Sequence, residues 1–155
     1  QNTQQPDFII QHSYFSVDGN YVNAYTVPGA LPPRSSAEVE ESYFMQGDGQ
    51  LMEEVAYTKY LLMFDYLKKN NILEKIKFFI PHQVNRSLIN KVLEKYSLHA
   101  TVVWDAKNIG NIGGSSVLYS LSKLLGEDTL KSGDHLLMMS VGGGISSSFQ
   151  VWQKC

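Results

Sequence analysis

The sequence predicts one α/β domain in which helices cover a mixed sheet. Three observations carry this reading. Stretches with helical spacing of apolar residues alternate with short β-branched or aromatic runs. The last two apolar runs follow one another across a glycine turn, with no helix between them. The 155 residues are 43% hydrophobic, enough for one core and not for two separate ones.

Phe8 to Val17 interleaves β-branched and aromatic residues with polar ones, and Asp18-Gly19-Asn20 ends it with turn chemistry, which predicts a strand. Residues 21–49 follow no period and hold Pro28, Gly29, Pro32, Pro33 and paired serines. They read as a long irregular loop within a single 1–155 domain, either functional or an arm over a partner. After Gly49, the residues Met52, Ala56, Tyr60, Met63, Phe64 and Leu67 keep helical spacing. Glu53 and Glu54 come early and Lys68 and Lys69 late, the order a helix dipole favours.

Ile76 to Ile80 is almost continuously apolar and stops at Pro81, the pattern of a strand buried on both faces, so His82 stands just past a strand's carboxyl end. Val84, Leu88, Ile89, Val92, Leu93 and Tyr96 form a second helical stripe, and Thr101 to Trp104 is a short β-branched strand. The glycine-rich stretch Asn108 to Ser116 leads into a helix carrying Leu118, Leu121, Leu124 and Leu125, with Ser115 or Ser116 as its cap and Gly126 as its stop. The strands His135–Val141 and Ile145–Trp152, joined by Gly142-Gly143-Gly144, form an antiparallel pair.

Charge adds little to this picture. Thirteen basic against 15 acidic residues give a net charge of -2, which offers no electrostatic case for nucleic acid or a membrane surface as partner. No apolar run reaches the ~18 residues a bilayer span needs. Cys155 is the single cysteine, so the sequence holds neither a disulfide framework nor zinc-ligand spacing, and a reducing, cytoplasmic setting without a metal or cofactor is expected.

Two segments concentrate polarity at strand ends, where open α/β sheets place their chemistry. Around His82, the run Ile80-Pro81-His82-Gln83-Val84-Asn85 sets an imidazole and two amides at a helix start. Uncharged N–H donors of this kind suit an oxyanion or enolate more than a phosphate. A histidine that merely hydrogen-bonds near the helix accounts for the same residue. Asn108 to Gly114 lets glycines bend the chain around Asn111 and aim its amide at a pocket. A phosphate-cradling loop and a plain turn remain open, although the Lys-Ser/Thr ending of a P-loop is absent. Gly142 to Gly144 either offers backbone N–H groups to a ligand or marks a tight bend.

Taken together and in order, these segments resemble the C-terminal half of the 3-oxoacyl-(acyl-carrier-protein) synthase III family. Pro81-His82-Gln83-Val84-Asn85 is similar to its Pro-His-Gln-Ala-Asn motif, and Gly110-Asn111-Ile112-Gly113-Gly114-Ser115-Ser116 is similar to its Gly-Asn-Thr-Ser-Ala-Ala-Ser motif. Lys131-Ser132-Gly133-Asp134 and Val141-Gly142-Gly143-Gly144 resemble its closing Pro-Gly-Asp, strand and glycine turn. The resemblance implies a thiolase-like half with a βαβαββ core. It implies an acyltransferase that condenses an acyl-CoA with malonyl-ACP, with decarboxylation, in fatty-acid or related biosynthesis.

By position, His82 and Asn111 correspond to the donors for the malonyl thioester carbonyl. Gly143 corresponds to an oxyanion-hole glycine and Asn85 to a residue near the pantetheine arm. Implied partners are an N-terminal half bearing the cysteine nucleophile, an acyl carrier protein, and a second copy in a full-length homodimer. Cys155 matches no nucleophile motif, so the chain by itself is expected to be inactive in condensation. Arg86 stands one place before the family's usual basic position, and Gly113-Gly114 replaces a Ser-Ala pair. A non-catalytic thiolase-fold subunit paired with an active synthase is the alternative reading. A nucleotide-binding α/β domain is a more distant third.

Overall fold

The computed structural model describes residues 6–26 and 46–155. Its first strand, β1 (Phe8–Val17), is followed by a 3-10 segment at Gly19–Ala24 and by β2 (Tyr25–Thr26), which pairs antiparallel with β3 (Gln46–Gly47). The two described ends of the 21–49 segment therefore meet in a small ladder; residues 27–45 lie outside the described residues. Gly47 is required there, because a Cβ on it would come within 2.3 Å of the Ala24 carbonyl oxygen.

Helix α1 (Gly49–Lys69) is the longest element. Asp48 caps it, its carboxylate accepting from the backbone N–H groups of Gln50 and Leu51 at 2.9 and 3.0 Å. That carboxylate takes the place expected of Glu53 and Glu54, which fall in the second turn. Glu53 instead approaches Lys91 at 3.7 Å, and Glu54 accepts from Gln50.

Next come β4 (Ile76–Pro81), α2 (Arg86–Tyr96), β5 (Thr101–Val102), a single helical turn α3 (Ala106–Ile109), α4 (Ser115–Gly126), β6 (His135–Gly142) and β7 (Ser146–Lys154). β5 is two residues shorter than the sequence predicts, yet the Val103 N–H still donates to the Phe79 carbonyl at 2.9 Å. Neither Ser115 nor Ser116 caps α4. Gly114 occupies the cap position with no side-chain bond, and Ser116 turns inward.

The five main strands run in the order β1-β7-β6-β4-β5. β4 is parallel to β5 and β6, whereas β7 is antiparallel to both β6 and β1. The fold is therefore α/β with a mixed sheet, as the alternating pattern and the closing strand pair predict. β4 occupies an interior position, and Phe78, Phe79 and Ile80 are all buried, which is why its sequence shows no alternation.

Helices lie on both faces. α1 and α2 pack on one, where Phe64, Leu67, Ile89 and Val92 meet Phe79, Leu137, Phe149 and Val151. α4 packs on the other, setting Val117, Leu121 and Leu124 against Phe78, Ile80, Leu136 and Met138. This second face is covered over β4 and β6 only. On β1, Phe15 and Val17 remain 71% and 63% exposed, and Leu118 of α4 is 66% exposed. At the end of the sheet where β1 begins, the Cys155 N–H donates to the Asp7 carbonyl at 3.0 Å.

Candidate functional site

The strand directions gather three loops at one end of the sheet: the exit of β4, the α3–α4 connection and the β6–β7 turn. A pocket of about 300 Å³ lies among them. It is lined by Met52, Ala56 and Tyr60 of α1, Leu88 and Ile89 of α2, Val141 of β6, and Tyr25. The four residues singled out from sequence, His82, Asn85, Asn111 and Gly143, all line this one pocket.

His82 owes its place to the end of β4. Its backbone N–H donates to the Met139 carbonyl at 2.8 Å, so the residue is still clamped to β6 as the chain turns away. Its Nδ1 lies 2.8 Å from the Ser116 hydroxyl on α4. Burial holds its pKa below the ordinary 6.5, and the imidazole is therefore neutral at neutral pH. Tyr60 packs beneath, with its hydroxyl against the His82 backbone. Burial raises its pKa far above the usual phenol value, so the hydroxyl stays protonated at neutral pH.

Asn111 is held by its own loop. Gly110 and Gly113 adopt φ of +66° and +63°, left-handed conformations that side-chain-bearing residues rarely enter. The resulting turn brings the Gly113 N–H to 2.9 Å from Asn111 Oδ1. Asn85 caps α2, its Oδ1 accepting from the Leu88 N–H at 3.0 Å. Gly143 packs against Tyr25, where a Cβ would sit at an ordinary 3.4 Å from the carbonyl oxygen. The conformational demand of that turn falls instead on Gly144, at φ +98°.

One pattern joins the three polar side chains. The oxygens of Asn85 and Asn111 already accept from backbone N–H groups, and Nδ1 of His82 is engaged by Ser116. Among the described residues, Nε2 of His82 and the two Nδ2 amides have no hydrogen-bond partner, and all three side chains line the pocket. With apolar walls around them, such groups favour a developing negative oxygen.

Behind the pocket, Gln83 is fully enclosed and makes four bonds. Its Nε2 donates to the carbonyls of Pro81 and Val103, each at 3.0 Å. Its Oε1 accepts from the N–H groups of Asp105 and Ala106 at 2.7 and 3.1 Å. Asp105 is buried beside it and binds Ser120 and Lys123 at 2.9 and 2.6 Å. Gln83 thus belongs to the scaffold that sets the loop, and Ser116 backs the His82 ring from outside the pocket. The sequence carried a faint signal of the latter, since Ser116 and Ser120 interrupt the buried stripe of α4 where apolar residues belong.

The remaining histidines do not join the pocket, and His99 is exposed on the surface. Among the described residues, no group of three or more His, Cys, Asp and Glu side chains could hold a metal ion, and no helix is long and apolar enough to cross a membrane. Cys155 is exposed beyond β7, whose nine residues, at ~3.3 Å each, put it roughly 30 Å from the glycine turn.

Comparison with known proteins points in one direction. A family model described as 3-oxoacyl-[acyl-carrier-protein] synthase III C terminal matches residues 67–154, which include all four pocket residues named above. The beta-ketoacyl-[acyl-carrier-protein] synthase III of Clostridium perfringens is 28% identical over 134 residues, or 83% of this chain and 41% of the relative. The chain spans less than half the length of the curated relatives it matches. The crystal structure of 3-oxoacyl-[acyl-carrier-protein] synthase III from Aquifex aeolicus superimposes with a TM-score of 0.78 at 20% identity, covering 97% of this chain and 46% of that one. Xanthomonas campestris OleA with bound lauric acid and lauroyl-CoA superimposes with a TM-score of 0.76 at 21% identity, covering 94% and 40%.

Proposed function

Because the chain belongs to the 3-oxoacyl-[acyl-carrier-protein] synthase III C-terminal family, we propose that it supplies the decarboxylating half of an acyltransferase that condenses an acyl-CoA with malonyl-ACP. The observation that carries this reading is the set of side-chain nitrogens left without a protein partner at a largely apolar pocket, while the oxygens of Asn85 and Asn111 and the Nδ1 of His82 are tied back into the fold.

In the proposed step, the malonyl thioester carbonyl oxygen accepts from His82 Nε2–H and Asn111 Nδ2–H. The C–C bond to the carboxylate breaks, CO₂ leaves, and the electron pair becomes an enolate whose oxygen charge the two donors stabilise. The largely apolar walls strengthen both bonds. The enolate carbon then attacks the acyl group carried by a cysteine on the N-terminal half, with the Gly143 N–H facing the second oxyanion, and collapse of that oxyanion breaks the C–S bond and releases the cysteine thiolate. Asn85 keeps one amide donor for the pantetheine arm. The lauroyl-CoA in the Xanthomonas campestris structure supports an acyl-CoA as the other substrate.

The partners follow from the same reading. The chain spans 41% of the Clostridium perfringens relative, and its one thiol lies at the far end of the sheet, so the nucleophile belongs to the other half. We place the complete enzyme in the cytoplasm as a homodimer served by an acyl carrier protein.

The test is malonyl-thioester decarboxylation by this chain joined to a cysteine-bearing N-terminal half. His82→Ala and Asn111→Ala should each lower the rate by about 10²–10³, the usual cost of one oxyanion donor. Full decarboxylation in both variants would overturn the assignment and favour a non-catalytic subunit that only shapes its partner.

A further inference from the structure

We propose that Ser116 is a positioning residue that locks His82 in the tautomer with its proton on Nε2, so that the ring reaches the pocket as a donor and not as a base. The inference rests on the reading of His82 given above and adds a residue to it.

Ser116 sits in the first turn of α4 and is completely enclosed. Its Oγ faces two groups from the β4 exit: the backbone N–H of Gln83 at 3.3 Å and the Nδ1 of His82 at 2.8 Å. The Gln83 N–H can only donate, so it occupies a lone pair of Oγ. The hydroxyl hydrogen then needs an acceptor, because a buried O–H without one costs ~1–3 kcal/mol. Among the described residues, Nδ1 is the one acceptor within hydrogen-bond distance of that oxygen. The reverse arrangement, with Nδ1–H donating to Oγ, would fill both lone pairs of the oxygen and strand its hydrogen. The Ser116 O–H therefore donates, Nδ1 stays bare, and the ring proton resides on Nε2.

The bond has a second effect. It joins α4 to the end of β4 across 34 residues of sequence and fixes the imidazole's rotation, since a ring flip would exchange a nitrogen for a C–H beside Oγ. Ser116 reaches no substrate and acts through His82.

Long-range ¹H–¹⁵N NMR on the chain with no ligand present tests this directly, with the His82 signals assigned by their loss in His82→Gln. The expected result is a single tautomer whose protonated nitrogen is Nε2 and whose bare Nδ1 is displaced from the position of a free acceptor by the Ser116 bond. In Ser116→Ala, Nδ1 should move to the free-acceptor position, and Ser116→Thr, which keeps the hydroxyl, should restore it. A proton found on Nδ1 in the unaltered chain would overturn the proposal even if neither variant folds. So would a Nδ1 signal unmoved in Ser116→Ala. Because no substrate enters the measurement, a locked Nε2–H tautomer together with undiminished decarboxylation in His82→Ala would sink the reading of His82 and leave the role of Ser116 intact.

Discussion

His82 is the residue at which the fold and the proposed chemistry bear on each other most directly. Burial lowers its pKa, so below the ordinary value of 6.5 the unfolded chain binds more protons than the folded one. Stability must therefore fall as the pH drops from 6.5 through the lowered folded value, and be fully present above. Urea titrations across that window should show the loss, and His82→Gln should remove the part that depends on this group. Asn111 makes a different demand. Gly113→Ala would place a Cβ at φ +63°, and although the space around it is open, the left-handed conformation should cost about 1 kcal/mol. The same change should weaken decarboxylation by disturbing the N–H that holds the Asn111 oxygen. The pocket positions of His82 and Asn111 were legible in the sequence because each stands in a contiguous polar motif. Ser116 was not, since its inward direction depends on where α4 settles against β4.

Between elements, the joint to watch is Gln83, which ties the exits of β4 and β5 and the start of α3 together with four bonds. Gln83→Glu keeps the shape but has no donor for the Pro81 and Val103 carbonyls, and it buries a charge. We expect it to destabilise the fold by about 3 kcal/mol or more, read from the urea midpoint. Nearby Asp105 is pushed upward by burial and downward by the Lys123 and Ser120 bonds, with the downward effect prevailing. Its contribution is present above the ordinary carboxylate range and lost as the pH falls through its lowered value. Asp105→Asn should blunt the acid sensitivity of the melting curve. The long elements were readable from apolar spacing alone. The single turn α3 was not, because four residues carry no period, and β5 stops early where the Val103 carbonyl and the Asp105 N–H bond to Gln83.

At the scale of the molecule, the two faces of the sheet are covered unequally, and β1 is the least covered strand on the α4 side. Phe15, Val17 and Leu118 leave an apolar surface over β1 and beside α4, next to a cavity of about 490 Å³ that holds none of the four pocket residues. We expect the rest of the relatives' length to cover it. Sedimentation of the isolated chain should accordingly show self-association that Phe15→Ser with Leu118→Ser abolishes, while the melting temperature changes little. Composition predicted one core but could not show that this core leaves a side unfinished. That depends on strand order, with β1 at an edge and α4 reaching only β4 and β6. The bond between Cys155 and Asp7 has a practical corollary. The bond holds the start of β1 against the end of β7 at the end of the sheet away from the pocket. A tether or reporter attached at that seam would leave the pocket facing solution.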